Sequence, residues 1–141
     1  MGMFDDIKCK YPLPVEGANA LSYQTKDTDA QQLDNYEIRE DGTLWHENYD
    51  PRFEENKEAP LGFYIHRDNL RWEQVPITGE VRFYTMYGIK AGQLVNANAR
   101  DGWLEWSAYF ADGKLNQLHM LENRAPDAAN DPDQRPKRIK P

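Results

Sequence analysis

Apolar and polar residues alternate with a period of two along most of this chain, and helical periodicity is weak. In "YEIREDGTLWHE", residues 36–47, an Asp41-Gly42 pair stands between two alternating runs and predicts a β-hairpin. A two-residue type I′ loop there sets Ile38 opposite Trp45 and Tyr36 opposite Glu47, with a Glu37–His46 cross-strand pair on the other face. The same signal recurs in "WLEWSAYFADGKLNQLHMLEN", with its turn at Asp112-Gly113. Counting outward from that turn pairs Phe110 with Leu115, Ala108 with Gln117, Trp106 with His119 and Leu104 with Leu121, which gives a mostly apolar face expected to be core. The other face mixes Trp103, Tyr109, Leu118 and Met120 with polar residues. Both faces are therefore expected to be partly covered, as in a closed sheet, a sandwich or an oligomer interface.

Between these hairpins, "NLRWEQVPITGEVRFYTMYG" predicts two strands joined near Pro76 to Gly79, and "GFYIHRD" a shorter one. Near the start, "DIKCKYPLP" alternates Ile7, Cys9 and Tyr11 against Lys8 and Lys10, and its prolines end the strand or place it at an edge. "ALSYQTKD" adds a further candidate. "PRFEENKEAP" and "IKAGQLVNANARDG" have the composition of irregular loops, and "DTDAQQLDNY" is the best helix candidate, with Asp27 or Thr28 as cap. The count of roughly seven to nine short strands indicates an all-β fold: a small antiparallel sheet, sandwich or barrel. Residues 1–124 form one expected β domain. Residues 125–141, rich in proline, lacking aromatics and basic at the end, are the expected disordered tail.

Composition narrows the class. A chain of 141 residues fits one domain, and a lone cysteine, Cys9, requires no oxidising compartment. No apolar run approaches a membrane span and the N-terminus lacks the order of a signal peptide, so the expected location is the host cell cytoplasm. Asp6 stands where an N-myristoylation motif needs Ser or Thr. A net charge of −7 argues against direct nucleic-acid binding. Because the acids are interleaved with bases, the surface reads as solvated rather than as a nucleic-acid mimic.

No nucleophile elbow, zincin, P-loop or dinucleotide motif is present, and His46, His66 and His119 lack metal-site spacing, so neither catalytic residues, metal nor cofactor is expected. Cys9, in a strand beside two lysines that project the other way, reads as a structural thiol. The least ordinary feature is the aromatic content, four tryptophans and eight tyrosines. Trp45 and Trp106 are assigned to the core. Trp72, Tyr84 and Trp103 fall among polar neighbours and, with Arg71 and Arg82, form the candidate binding set.

Taken in order, "MFDDIKCKYPLP", "YQTKD", "YEIREDGTLWHE", "RWEQ", "VRFY" and "WLEWSAYFADGKL" resemble a family of short uncharacterised proteins of tailed phages, prophages and their hosts. The resemblance runs from Met3 to Leu121, departs in residues 51–59 and after Leu121, and brings no catalytic or ligand residue with it. It implies a setting in which small phage proteins bind and disable a host factor. The expected function is thus non-enzymatic inhibition of a host defence or regulatory protein. A protein that sequesters a small nucleotide signal is the alternative, and a minor hydrolase, needing a histidine to meet a carboxylate or metal in a cleft, ranks last. A homo-oligomer is compatible with each.

Overall fold

The computed structural model describes residues 4–28, 33–96 and 102–126. Nine strands make one sheet: β1 (Asp5–Cys9), β2 (Ser22–Thr25), β3 (Asn35–Ile38), β4 (Leu44–Glu55), β5 (Phe63–Gln74), β6 (Gly79–Lys90), β7 (Gln93–Asn96), β8 (Gly102–Ala111) and β9 (Lys114–Arg124). Their order is β5-β4-β3-β1-β2-β6-β8-β9, and β7 pairs with β6. Every pairing is antiparallel except β1 with β3. The proline-bearing segment after Cys9 ends β1, which lies at the centre of the sheet and not at an edge. A single 3-10 turn, Ala18–Ala20, is the only helical element among the described residues. Residues 29–32 of the expected helix and the tail from residue 127 lie outside the described residues; Asn35 and Tyr36, which that helix would have contained, open β3.

The sheet rolls around its apolar face. Ile7, Tyr23, Ile38, Leu44, Phe83, Leu104 and Trp106 are fully buried inside it. Tyr23 meets Phe83 edge-on with ring centroids 5.2 Å apart. Its hydroxyl accepts from the Trp106 indole N–H at 3.3 Å and donates to the Ala18 carbonyl at 2.8 Å, so both of these buried polar atoms are satisfied. Trp106 is core, as expected. Trp45 is only half-buried, with the Arg39 guanidinium 3.9 Å above its ring.

The two Asp-Gly turns meet and close the roll at one end. Thr43 bridges to Lys114, the Leu115 N–H donates to the Gly42 carbonyl at 2.7 Å, and the Gly113 N–H donates to the Ile77 carbonyl at 2.7 Å. The turns themselves differ. Asp112 and Gly113 both have positive φ, 51° and 80°, which is the predicted type I′ loop. In the first hairpin only Gly42 does, at 84°, and the Arg39 N–H bonds the Thr43 carbonyl, so the loop has an extra residue and Gly42 forms a G1 bulge. That extra residue corrects the register: Tyr36 faces His46, Glu37 faces Trp45 and Ile38 faces Leu44. Trp45 is thereby turned away from the core, and the Glu37–His46 pair does not form.

In the second hairpin Phe110 does face Leu115, but bulges at residues 109/110 and 105/106 then slip the register. Ala108 faces Leu118, Trp106 faces Met120 and Leu104 faces Asn123. The largest difference from the sequence reading lies in "PRFEE" and "GFYIHRD". The first continues β4, and the second joins "NLRWEQ" in one twelve-residue β5 that passes through Asn69 at φ 56°. "GFYIHRD" is a strand as expected but continuous with the next, whereas a loop composition concealed "PRFEE", neither face of which needs to be buried. Likewise, the expected loop at residues 89–102 contains the end of β6, β7 and the start of β8, although residues 97–101 lie outside the described residues.

Gly113 and Gly62 give a controlled test of the closure. Both lie near φ +80°, but a Cβ on Gly113 falls 2.9 Å from the Val75 carbonyl oxygen, whereas one on Gly62 meets nothing within 4 Å. Gly62→Ala should therefore lose ~1 kcal/mol from left-handed strain alone. Gly113→Ala adds a backbone collision and should lose ~3 kcal/mol; urea unfolding of the two variants side by side measures the difference.

Candidate functional site

On the outer face of the sheet, side chains from seven neighbouring strands line up across the strand direction. The pairings Trp72–Glu47, Asn35–Asp6, Asp6–Gln24, Gln24–Tyr84 and Tyr84–Glu105 carry the row from β5 to β8. Three depressions follow it. One of 480 Å³ lies among Asp6, Tyr84, Met86 and Trp103; a second, of 380 Å³, shares Asp6 and Ser22 with it; a third, of 560 Å³, shares Glu37 and Trp72 with the second. Together they form a shallow groove. Five strand spacings separate Trp72 from Tyr84, roughly 24 Å, about the length of a seven-residue extended peptide.

The groove has an aromatic group at each end. Tyr84 and Trp103 stack with centroids 5.3 Å apart and planes 19° from parallel, because Tyr84 on β6 and Trp103 on β8 are diagonal neighbours on one face. The Trp103 indole donates to Glu105 at 3.0 Å. Burial, aided by the charges of Asp27 and Glu105, raises the Tyr84 phenol, which stays protonated. At the other end stands Trp72, 37% exposed.

Between the aromatics the floor carries three carboxylates, Asp6, Glu37 and Glu47, with Lys8 among them, and Glu105 lies beside the Tyr84–Trp103 stack on its far side. Glu47 accepts from Asn35 at 3.2 Å, and Glu105 accepts from Trp103, both neutral donors. Partial burial, and secondarily the charge of Asp5, raises the carboxyl of Asp6 above its ordinary value. Glu37 differs, since Lys10 and Arg39 lie 3.4 and 3.2 Å from it. The Asn96 side chain holds one rim by bonding both the N–H and the carbonyl of Ser22, at 2.7 and 2.9 Å.

The candidate binding set is thus divided. Tyr84, Trp103 and Trp72 lie on the groove face. Arg82 shares that face, but its side chain and backbone N–H both bond Asp27, at 3.4 and 2.8 Å. Arg71 alternates with Trp72 and projects from the opposite face, bonded to Asp50 at 3.2 Å and the Asn69 carbonyl at 3.0 Å. The sequence reading missed Asp6, Glu47 and Glu105. Their alternation with apolar neighbours was visible, but their alignment depends on the parallel β1–β3 pairing, which no local pattern specifies.

Two histidines do meet carboxylates. His46 Nε2 lies 2.8 Å from Asp34 and stacks on Tyr36 at 4.5 Å, while His66 Nε2 lies 2.5 Å from Glu54 on an exposed strand pair. Asp34, nearly buried, also receives the Tyr49 hydroxyl at 3.4 Å and Arg67 at 3.5 Å. Neither histidine lines the groove, and both contacts tie strands together. Among the described residues no three His, Cys, Asp or Glu side chains gather into a metal site. No protein family, curated protein or solved structure matches this chain.

Cys9 is buried, and its thiol donates to the Tyr11 carbonyl at 3.3 Å. Burial pushes its pKa up to about 12. The native thiol is therefore neutral at pH 8 and should react with a disulfide reagent only after denaturation, at the ordinary rate of a free thiol. The unfolded thiol ionises near 9.0 and the folded one does not, so Cys9's contribution to stability is complete below 9.0 and is lost as pH rises toward 12.

Proposed function

We propose that this is a non-enzymatic, phage-type binding protein that disables a host defence or regulatory component by gripping a basic, extended segment of it across the outer groove. The carrying observation is the placement of Trp72 and the Tyr84–Trp103 stack at opposite ends of a floor on which Asp6, Glu37 and Glu47 outnumber Lys8, with Glu105 beside the stack. Aromatic anchors supply most of the affinity of such contacts, and carboxylates held by neutral donors keep their charge for a cation. A cation at Asp6 also relieves the penalty its burial imposes. The resemblance to phage and prophage proteins supports the setting. An anionic nucleotide suits the groove less well, because carboxylates outnumber Lys8 on its floor and Arg71 and Arg82 already bond carboxylates.

A tagged chain should capture one host protein from a bacterial lysate near one-to-one, with an unrelated acidic β protein as control. Trp72→Ala and Trp103→Ala should each weaken binding of the purified partner about 30-fold, roughly 2 kcal/mol, without lowering the melting temperature. Added salt should weaken it further. Capture that both variants leave intact overturns the assignment of the groove.

A further inference from the structure

β4 pairs with β3 only as far as His46, so beyond that point its sole neighbour is β5, which is itself an edge strand. Residues 50–55 and 63–68 therefore form a two-stranded arm. Its register puts the ion pairs and Tyr64 on one face and Phe53, Phe63 and Ile65 on the other. On one face Arg52 bonds Asp68 at 2.7 Å and Glu54 meets His66. On the other, Phe53 faces Ile65 and Phe63 faces Glu55, with the Phe53 and Phe63 rings 5.5 Å apart. Phe53 is 65% exposed and Ile65 54%, and Leu61 at the tip is 76% exposed. A two-stranded ribbon is marginal in water unless its apolar face is covered. Nothing in this chain's described residues covers it.

We propose that the cover is the same face of a second copy, with two arms stacked antiparallel about a two-fold axis near Phe53 and Ile65. The area fits. With 150–250 Å² for each large side chain, the exposed fractions amount to roughly 400 Å² of apolar surface per copy, about half of the ~800 Å² per partner that a stable complex buries. Pro51, Glu55, Arg67 and the tip adjoin this patch and supply the remainder. Charge complementarity selects the two-fold arrangement. The apolar face has Glu55 at its tip end and Arg67, opposite Pro51, at its root, so antiparallel stacking lays each tip carboxylate over the other copy's guanidinium. Arg67 keeps its contacts with Asp34 and the Tyr49 ring, and its positive charge at the root lies under the tip carboxylate of the second copy. The outer groove takes no part in this contact.

Light scattering on the eluting full-length chain should give twice the chain mass. Phe53→Glu and Ile65→Glu should each weaken the dimer roughly 30-fold or more with the core transition retained. Leu121→Glu, on the exposed strand β9, should leave it unchanged. Hydrogen exchange of the unaltered chain above and below its dissociation concentration needs no variant, and should show added protection confined to residues 50–68. A monomer at every soluble concentration, a dimer indifferent to both arm substitutions, or added protection on β9 or in the groove overturns the proposal.

Discussion

The contact between the two Asp-Gly turns governs the rest of this molecule. A sheet that twists and coils has two edges, and without closure its inner face would remain half wet. Here the bonds joining residues 42–44 to 113–115 bring the ends of the β3–β4 and β8–β9 hairpins together. Trp106, Tyr23 and Phe83 then share one dry interior. Glycine is required on both sides of that contact for a geometric reason: a Cβ at Gly42 falls 3.1 Å from the Leu115 Cβ, and one at Gly113 meets the backbone of residue 75. The turns thus reverse the chain and also dock against one another.

Closure decides which surfaces remain for binding. With the inner face consumed by the core, the outer face is the broad surface that the described strands of the roll present, and the polar half of each alternating strand is displayed there as a row. β1 is central to this because its parallel pairing with β3 sets Asp6 beside Asn35, while its antiparallel pairing with β2 sets Asp6 beside Gln24. The arm answers to a different constraint. Asp34 anchors its root through His46, Tyr49 and Arg67, a set of charge-assisted bonds around one nearly buried carboxylate.

Much of the fold was legible from alternation and turn chemistry. The all-β class, the core face of β8 and the turn at Asp112-Gly113 follow from local rules that the structure obeys. Registers were legible only near a turn whose type the residues fix. Asp41-Gly42 has the same letters as Asp112-Gly113, yet it closes a loop one residue longer, and one residue suffices to exchange the faces of Trp45 and Leu44. Bulges in β8–β9 had the same effect further from the turn. Of the arm, "GFYIHRD" was legible as a strand, and its partner was hidden because burial is what makes a strand alternate and residues 51–55 are exposed. Of the candidate site, the aromatics were legible as tryptophans among polar neighbours; the carboxylates were not, since pairing between distant strands assembles them.

The joint between the two halves of the sheet has a further consequence. β2 and β6 share one paired position, Gln24 with Tyr84, reinforced by the clip from Asn96 to Ser22. Strands β1 to β5 on one side and β6 to β9 on the other are each more extensively paired within themselves. At that line the two groups of strands are held by side chains, the shared core and the turn contact more than by ladder bonds, so a local opening there breaks few backbone pairs. The groove crosses the joint at Asp6, Gln24 and Tyr84, so any occupant lying along it fastens one group to the other. Occupancy and rigidity are then linked: the ligand raises the free energy of the opening, and a chain already stiffened there binds at a smaller entropic cost.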